Sequence, residues 1–122
     1  MLSTLPAWAN WSPEKNVEIV IASGPGGGND RVGRAVQKIL HDLKLLSVTT
    51  SFFNKPGGGG FIGLTYLNQQ AGDAHYISTS TPNLLTTHIS GISQFTYAGI
   101  THIAQLYSES GVFVLKADSK IQ

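Results

Sequence analysis

Residues 17–30, VEIVIASGPGGGND, decide the fold, because a short apolar run leads through four glycines into a helical pattern. Residues 48–63, VTTSFFNKPGGGGFIG, repeat the same order with four consecutive glycines. A strand, a glycine turn and a helix in this order present free backbone N–H groups at a helix N-terminus, which is a geometry that binds anions. Two such loops at neighbouring strand ends predict one shared anion pocket.

The rest of the chain continues this alternation. Apolar residues from Asp30 to Leu43 recur with the spacing of an amphipathic helix. The patterns then predict strands over residues 47–53 and 75–79, helices over 61–70 and 84–89, and a long or broken strand over 103–106 and 111–117. The order β-α-β-α-β-α-β with short connections predicts an α/β fold with a mainly parallel, doubly wound sheet. Both glycine loops and the Ser80–Thr81 loop then lie at its carboxyl edge, where ligands bind.

Composition narrows the function classes. A chain of 122 residues can form one domain with a core, and its formal net charge of +1 argues against a nucleic-acid surface. There is no cysteine, and hence no disulfide framework or thiolate zinc site. No apolar run approaches the ~20 residues of a membrane span. Residues 1–16 read as a leader or a residual signal segment, in which Ala7-Trp8-Ala9 fits a cleavage site.

Catalytic and cofactor motifs are not recognisable. A dinucleotide fingerprint would need glycine where Asn29 stands and a carboxylate near residues 50–54, and a Walker A loop would need a lysine after Gly28. The four histidines lack metal-site spacing, and no Gly-x-Ser-x-Gly elbow is present. The sequence therefore predicts no enzyme, no cofactor and no metal.

Several side chains near the loops admit two interpretations. Asn29 or Asp30 can cap the following helix, and an Asp30–Arg34 pair would fix its first turn. Arg31 and Lys55 are either solvated charges or groups that attract an anion. The hydroxyls of residues 78–81 either cap the next helix or complete a carboxylate site. The extra glycines either serve turns or strip side chains away so that a ligand can approach the backbone.

At these loops the sequence resembles the solute-binding proteins of tripartite tricarboxylate transporters, also called the Bug family. SGPGGGNDRVGR (residues 23–34) and NKPGGGGFIG (54–63) match, in order and separation, the family's P-G-G-x-x-D-x-x-x-R and N-x-P-G-x-G-G-x-x-G signatures. AGDAHYISTSTPNLL (71–85) is a weaker match, since the family usually has P-D-G-Y-T there. Residues 114–121 also resemble the family's strand and serine-lysine region.

The resemblance implies a type II periplasmic-binding fold, in which two α/β lobes close on a small carboxylate held mainly by loop amides and ordered water. Residues 17–122 would form an incomplete first lobe, since the family is more than twice this length. The implied protein is non-enzymatic and periplasmic, delivers a di- or tricarboxylate or related organic acid to membrane transporter subunits, and is a monomer at full length. Its expected ligand-binding residues are Ser23, Gly26, Gly27, Gly28, Asp30, Gly57, Gly58, Gly59, Gly60, Phe61, Ser80 and Thr81.

Two other functions stay open at this point. One is a doubly wound nucleotide- or phosphate-binding enzyme domain, which would need an acidic or metal-binding residue near the loops. Asp30 and Asp73 are the acidic residues that qualify, and neither has an evident partner in the sequence. The other is a receptor for a sensor kinase, which would share the binding chemistry of a transport protein.

Overall fold

A computed structural model describes residues 11–108 and 110–120 of the chain. Three parallel strands, β1 (Val17–Ile21), β2 (Thr50–Asn54) and β3 (Tyr76–Thr79), form a sheet in the order β2-β1-β3. Three helices follow the strands: α1 (Gly28–Asp42), α2 (Phe61–Gln69) and α3 (Asn83–Ile89). Single 3₁₀ turns occupy Gly58–Gly60 and Tyr97–Gly99. The α/β fold with a parallel sheet is as the sequence predicts.

The central strand β1 carries the core. Ile19, Val20 and Ile21 have no exposed surface, because β1 is paired on both sides and covered on both faces. Alternate residues of a strand point to opposite faces. Ile19 and Ile21 meet α1 at Gly33, whereas Glu18 on the other face accepts a hydrogen bond from Tyr66 of α2. The helices therefore cover both faces of the sheet, as in doubly wound folds.

Two close approaches of helix to strand depend on glycine. A Cβ atom at Gly33 would overlap Ile21 Cδ1, and one at Gly63 would lie 2.8 Å from the Cα of Ala22. These glycines let α1 lie directly against the end of β1 and α2 against Ala22, the residue that follows it. The glycine loops are thereby held at one point of the carboxyl edge.

Several predicted boundaries differ from the observed ones. β2 begins at Thr50 and not at residue 47, because Thr50 is the partner of Val17, the first residue of β1. The structure has no strand over 103–106 or 111–117, so this prediction is wrong. Both stretches are largely exposed, with Phe113 fully so, and form no ladder with β3. β-branched composition indicates a strand, but the strand forms only where a partner is paired with it.

The predicted leader falls partly outside the described residues, since residues 1–10 are not among them. Residues 11–16 contact the other end of the sheet. Lys15 Nζ lies 2.6 Å from Asp73 Oδ2, and the ring of Trp11 packs edge-on against His75 with centroids 5.4 Å apart. The hydrogen bond from Lys15, followed by the bonds from the backbone and ring of His75, holds the pKa of the Asp73 carboxyl well below its usual range. In the described part of the chain, no helix is long and apolar enough to cross a membrane.

Candidate functional site

The three predicted loops meet at the carboxyl ends of β1 and β3. They enclose a cleft of about 40 Å³ at the carboxyl ends of β1 and β3. In open α/β sheets, ligands bind outside the carboxyl ends of the strands. The residues that line the cleft are Ala22, Ser23, Asn29, Gly59, Gly60, Leu64, Ser80, Thr81, Asn83 and Leu84.

The cleft includes five of the twelve residues that the sequence singled out. Ser23, Gly59, Gly60, Ser80 and Thr81 line it. The other seven lie in the same loops but not in its lining: Gly26, Gly27, Gly28, Asp30, Gly57, Gly58 and Phe61. Sequence reasoning missed Asn29 as a site residue, since it considered this side chain only as a helix cap. The strand-to-helix position of Asn29, one residue after the last loop glycine, is the signal that could have found it.

Asp30 organises the first loop. Its side chain is 3% exposed, and it accepts hydrogen bonds at 2.9 Å from the backbone N–H of Gly26, from Arg34 Nε and from Asn54 Nδ2. The bond from Arg34, followed by those from Gly26 and Asn54, lowers the pKa of Asp30 to about 2. The predicted Asp30–Arg34 pair is confirmed. With three protein donors on its carboxylate, Asp30 joins the first loop to the end of β2.

The helix cap is not where the sequence placed it. Gly27 is the N-cap of α1, so Asn29 and Asp30 already lie inside the first turn, and the prediction that either caps the helix is wrong. Asp30 instead accepts a hydrogen bond from the amide of Gly26, the residue before the N-cap. The first intrahelical bond runs from Arg31 N–H to Gly27 O. Among the described residues, the amides of Gly28, Asn29 and Asp30 have no recorded acceptor, as expected for the first turn of a helix.

The second loop needs glycine for its backbone. Gly57, Gly58, Gly59 and Gly60 all have positive φ, at 124°, 55°, 65° and 102°. Other residues adopt these angles rarely, so conformation alone explains this glycine run. A Cβ atom at Gly59 would also lie 2.7 Å from Thr87 Cγ2 of α3. In the first loop, by contrast, Gly26 alone has positive φ, so the conformational explanation does not extend to Gly27 and Gly28.

The third loop divides the hydroxyl cluster. Ser78 Oγ donates to Val20 O at 2.8 Å, and buried Thr79 makes a long bond of 3.4 Å to Asn29 O, so both hydroxyls serve the fold. Ser80 and Thr81 line the cleft. Of residues 78–81, the first two therefore bond within the fold, and the last two line the cleft.

Of the cationic side chains near the loops, Arg31 is exposed, whereas Arg34 and Lys55 have partners away from the cleft. The guanidinium of Arg34 binds Asp30 and lies 4.3 Å from the centroid of the Phe52 ring. Lys55 Nζ lies 3.9 Å from the centroid of the Tyr66 ring. The Tyr66 hydroxyl donates to Glu18 at 2.6 Å, and this bond, together with burial, raises the pKa of Tyr66 to about 12. None of the residues that line the cleft is charged.

Two polar atoms at the site have no hydrogen-bond partner within the described part of the chain. They are Ser23 Oγ and Asn29 Oδ1, and both are buried. Buried polar atoms nearly always have a partner, which for such atoms is often an ordered water. Phe61, which the sequence predicted as a ligand-binding residue, has a packing role instead, because its ring contacts that of Phe95 with centroids 5.6 Å apart.

Larger cavities lie beside the cleft and far from it. A cavity of about 460 Å³ shares Asn29, Ser80 and Thr81 with the cleft and is also lined by residues 104–108. Another, of about 590 Å³, lies at the other end of the sheet between the second half of α1 and residues 46–50. No predicted site residue lines that second cavity, and its Lys38 and Asp42 pair with each other. The three predicted loops converge only on the small cleft, which is therefore the candidate site. Across residues 11–108 and 110–120, no group of three or more acidic or histidine side chains could hold a metal ion.

The comparisons with known proteins agree with this geometry. No family model and no curated protein matches the chain significantly. A solved structure does match: a TctC solute-binding protein from Polaromonas, determined without ligand, at 27% identity and a TM-score of 0.63. The match covers 70% of this chain and 29% of that structure, so the chain spans less than a third of its structural neighbour. The resemblance to the solute-binding proteins of tripartite tricarboxylate transporters, first indicated by the two glycine loops, is thereby confirmed at the level of fold and sequence together.

Proposed function

We propose that residues 17–122 form part of the first lobe of a periplasmic solute-binding protein, which captures a small carboxylate and delivers it to a tripartite tricarboxylate-type transporter. The observation that supports this most is the convergence of the three loops on one cleft at the carboxyl edge of β1 and β3. The solute-binding neighbour supports the same class of protein. On this proposal the protein binds its ligand and has no catalytic residue.

The chemistry of the cleft favours a carboxylate. The Ser23 hydroxyl is a buried donor that lacks an acceptor, and a carboxylate oxygen is an acceptor. The first turn of α1 adds unpaired N–H groups and the positive end of the helix dipole, which stabilises an anion by about 0.3–2 kcal/mol. The glycines at 26–28 leave this backbone uncovered. Asp30 does not repel the anion strongly, because Arg34 neutralises its charge.

The same lining disfavours a nucleotide. Phosphate groups carry more charge than one carboxylate, and P-loop sites meet that charge with a lysine and a magnesium ion. The cleft is lined by neutral side chains alone, and the nearby Arg34 and Lys55 side chains are engaged elsewhere. We therefore prefer the carboxylate to the phosphate-binding alternative.

The size of the cleft suggests how a ligand is held. About 40 Å³ is little more than the ~30 Å³ that one water occupies in the liquid, so the cleft accepts one end of a ligand. Small-molecule sites usually measure 300–1,000 Å³ and cover most of the ligand. The remainder of the ligand would be covered by a second lobe, which supplies the other wall and the final choice of substrate.

Calorimetric titration of the 122-residue chain with acetate, succinate and citrate, with ATP and NAD as comparison ligands, tests this function. Binding of a carboxylate, weakened at least tenfold in Ser23→Ala, is the expected result, because a hydrogen bond to a charged group contributes about 1.5–3 kcal/mol. Ser47→Ala is the matched control, since Ser47 is exposed at the opposite end of the sheet. Binding of ATP or NAD alone, or equal carboxylate affinity in both variants, would contradict the proposal.

A further inference from the structure

His75 fastens residues 11–15 to the amino end of β3, which is the end of the sheet opposite the cleft. Its side chain is 14% exposed, and both of its ring nitrogens have partners. The backbone N of Glu14 lies 3.2 Å from Nε2, and Asp73 Oδ1 lies 2.7 Å from Nδ1. Because a backbone N–H can only donate, Nε2 is unprotonated, and Nδ1 carries the proton that Asp73 accepts. The two contacts together fix one neutral tautomer of His75.

The other contacts of this segment meet at the same turn. Lys15 Nζ lies 2.6 Å from Asp73 Oδ2, so one carboxylate holds both the lysine of the segment and the ring of His75. The ring of Trp11 packs edge-on against the same imidazole. Asp73 Oδ1 also accepts from the backbone N–H of His75 at 3.0 Å, which keeps the carboxylate beside the ring without help from the segment. Asp73 and His75 therefore belong to the sheet, whereas Trp11, Glu14 and Lys15 belong to a segment that can leave it.

Protonation of His75 opposes these contacts in two ways. A proton on Nε2 turns the acceptor of the Glu14 N–H into a donor, so that two donors face each other at 3.2 Å. The ring also becomes a second cation beside Lys15, since both groups contact the carboxylate of Asp73. Detachment of the segment takes the N–H and the lysine away and leaves Asp73 beside the ring. Proton binding therefore favours the detached segment, and by linkage the attachment becomes stronger as pH rises.

The acidic groups next to His75 leave this effect in place. Asp73, in the turn before β3, attracts the protonated ring whether or not the segment is attached. It stays ionised from pH 8 to pH 5, because its pKa is held well below the usual range and a free aspartate titrates near about 3.9. Glu14 lies on the segment itself and is exposed to solvent. Neither carboxylate therefore changes its charge in the range in which a histidine titrates.

The titratable groups on the other packed elements are engaged elsewhere. Glu18 of β1 gives its backbone N–H to His75 O, while its carboxylate accepts from Tyr66 of α2. Tyr76 of β3 points to the opposite face from its neighbour His75 and packs against the Tyr66 ring. In the second half of α1 and just after it, the titratable side chains line the cavity beside β2, and they are Lys38, His41, Asp42 and Lys44.

We propose that His75 and residues 11–15 form a pH-operated latch, which is closed when the His75 ring is neutral and opens when the ring is protonated. Histidine is the side chain that ordinarily changes its charge between pH 5 and 8. Asn16 is bonded to Ser51 and Thr49, so the opening ends there and does not reach β1. The latch lies at the amino end of the sheet and works independently of the ligand cleft at the carboxyl end.

NMR spectroscopy of the 15N-labelled 122-residue chain between pH 8 and pH 5 tests the latch. At pH 8 we expect the Nδ1–H tautomer of His75 and a Glu14 amide that is protected from hydrogen exchange. As the ring takes up its proton, the protection factor of this amide should fall roughly fivefold, as expected for the loss of one hydrogen bond. In His75→Gln the protection should not depend on pH, because the amide oxygen of glutamine accepts from Glu14 and does not titrate. His41→Gln, at an exposed histidine of α1, is the matched control and should keep the fall.

Several outcomes would overturn the latch. The Nε2–H tautomer at pH 8 would contradict the bond from Glu14. Unchanged protection of Glu14 while His75 titrates, or a fall that persists in His75→Gln, would show that this ring does not control the segment. A parallel fall at Ile19, in the core of β1, would mean that the whole fold opens. Lys15→Met removes the cation that shares Asp73 with the ring, so its fall should be smaller, and an equal fall would contradict that competition.

Discussion

Replacement of Gly27 by serine should stabilise the fold and weaken the ligand site at the same time. Gly27 is the N-cap of α1 with φ −70° and ψ 173°, an extended conformation that any residue adopts. A Cβ atom there would lie 3.4 Å from Gly24 O and 3.7 Å from Ser23 Oγ, which are ordinary contacts. The backbone therefore accommodates a side chain at this position.

The expected gain in the free energy of unfolding has two parts. Removing a glycine from the unfolded chain contributes about 0.4–1 kcal/mol, and a serine N-cap is a few tenths of a kcal/mol better than glycine. Gly27→Ser should thus stabilise the fold by about 0.5–1.5 kcal/mol. Gly27→Ala gains the same entropy but lacks a capping oxygen, and alanine is a poor N-cap, so its net change should be close to zero.

Urea unfolding at pH 7, analysed for unchanged m-values, measures both variants. The serine hydroxyl would accept from an amide in the first turn of α1, so that amide is no longer available to a ligand. Carboxylate affinity should fall in Gly27→Ser although the fold is more stable. A destabilised Gly27→Ser would refute the N-cap assignment, and a stabilised variant with unchanged affinity would refute the idea that this glycine exposes the backbone to a ligand.

Three further predictions concern the loops and the titrating groups. Gly59→Ala should lower the free energy of unfolding by about 1–3 kcal/mol in urea, because φ is +65° and the Cβ would meet Thr87. Gly72→Ala, at φ +88° with no atom within 4 Å, should lose only the conformational part, and equal losses would exclude the Thr87 contact. Because folding lowers the pKa of Asp30 to about 2, its contribution is complete above the unfolded pKa near 4 and is lost as pH falls from 4 to 2. Asp30→Asn should make the acid-unfolding profile shallower there, and an unchanged slope would contradict the bonding of its carboxylate. Because folding raises the pKa of Tyr66 to about 12, stability should fall between pH 10 and 12, and Tyr66→Phe should reduce that fall in alkaline urea titrations; an equal fall in both proteins would argue against its buried hydrogen bond.

The local features of the fold could be predicted from the sequence. The apolar run at 17–21 and the helical spacing that follows it predicted β1 and α1, since hydrophobic periodicity is a property of a single element. The glycine loops predicted the edge of the sheet at which the candidate site lies. The missing fourth strand shows the limit of such patterns, because pairing depends on a partner that composition does not reveal.

The site was harder to predict, because its decisive contacts join distant segments. Asp30 and Arg34 are four residues apart, and their pair follows from helix geometry. The bond from Asn54 to Asp30 spans 24 residues and has no sequence pattern. The Oδ1 atom of Asn29 is likewise buried without a partner only when the loops are assembled, so the sequence does not show it.

The close approach of α2 to Ala22 restricts how this site could be altered by directed evolution. Gly60 and Gly63 both lie against Ala22, where an added Cβ would come within 3.3 Å of its carbonyl or 2.8 Å of its Cα. A library that enlarges any of these three positions would mostly push the helix from the sheet and yield unfolded clones. Ser80 and Asn83 are exposed at the rim of the same cleft and can vary without such a shift. New ligand preferences should therefore be sought by randomising the rim, with the glycine loops held constant.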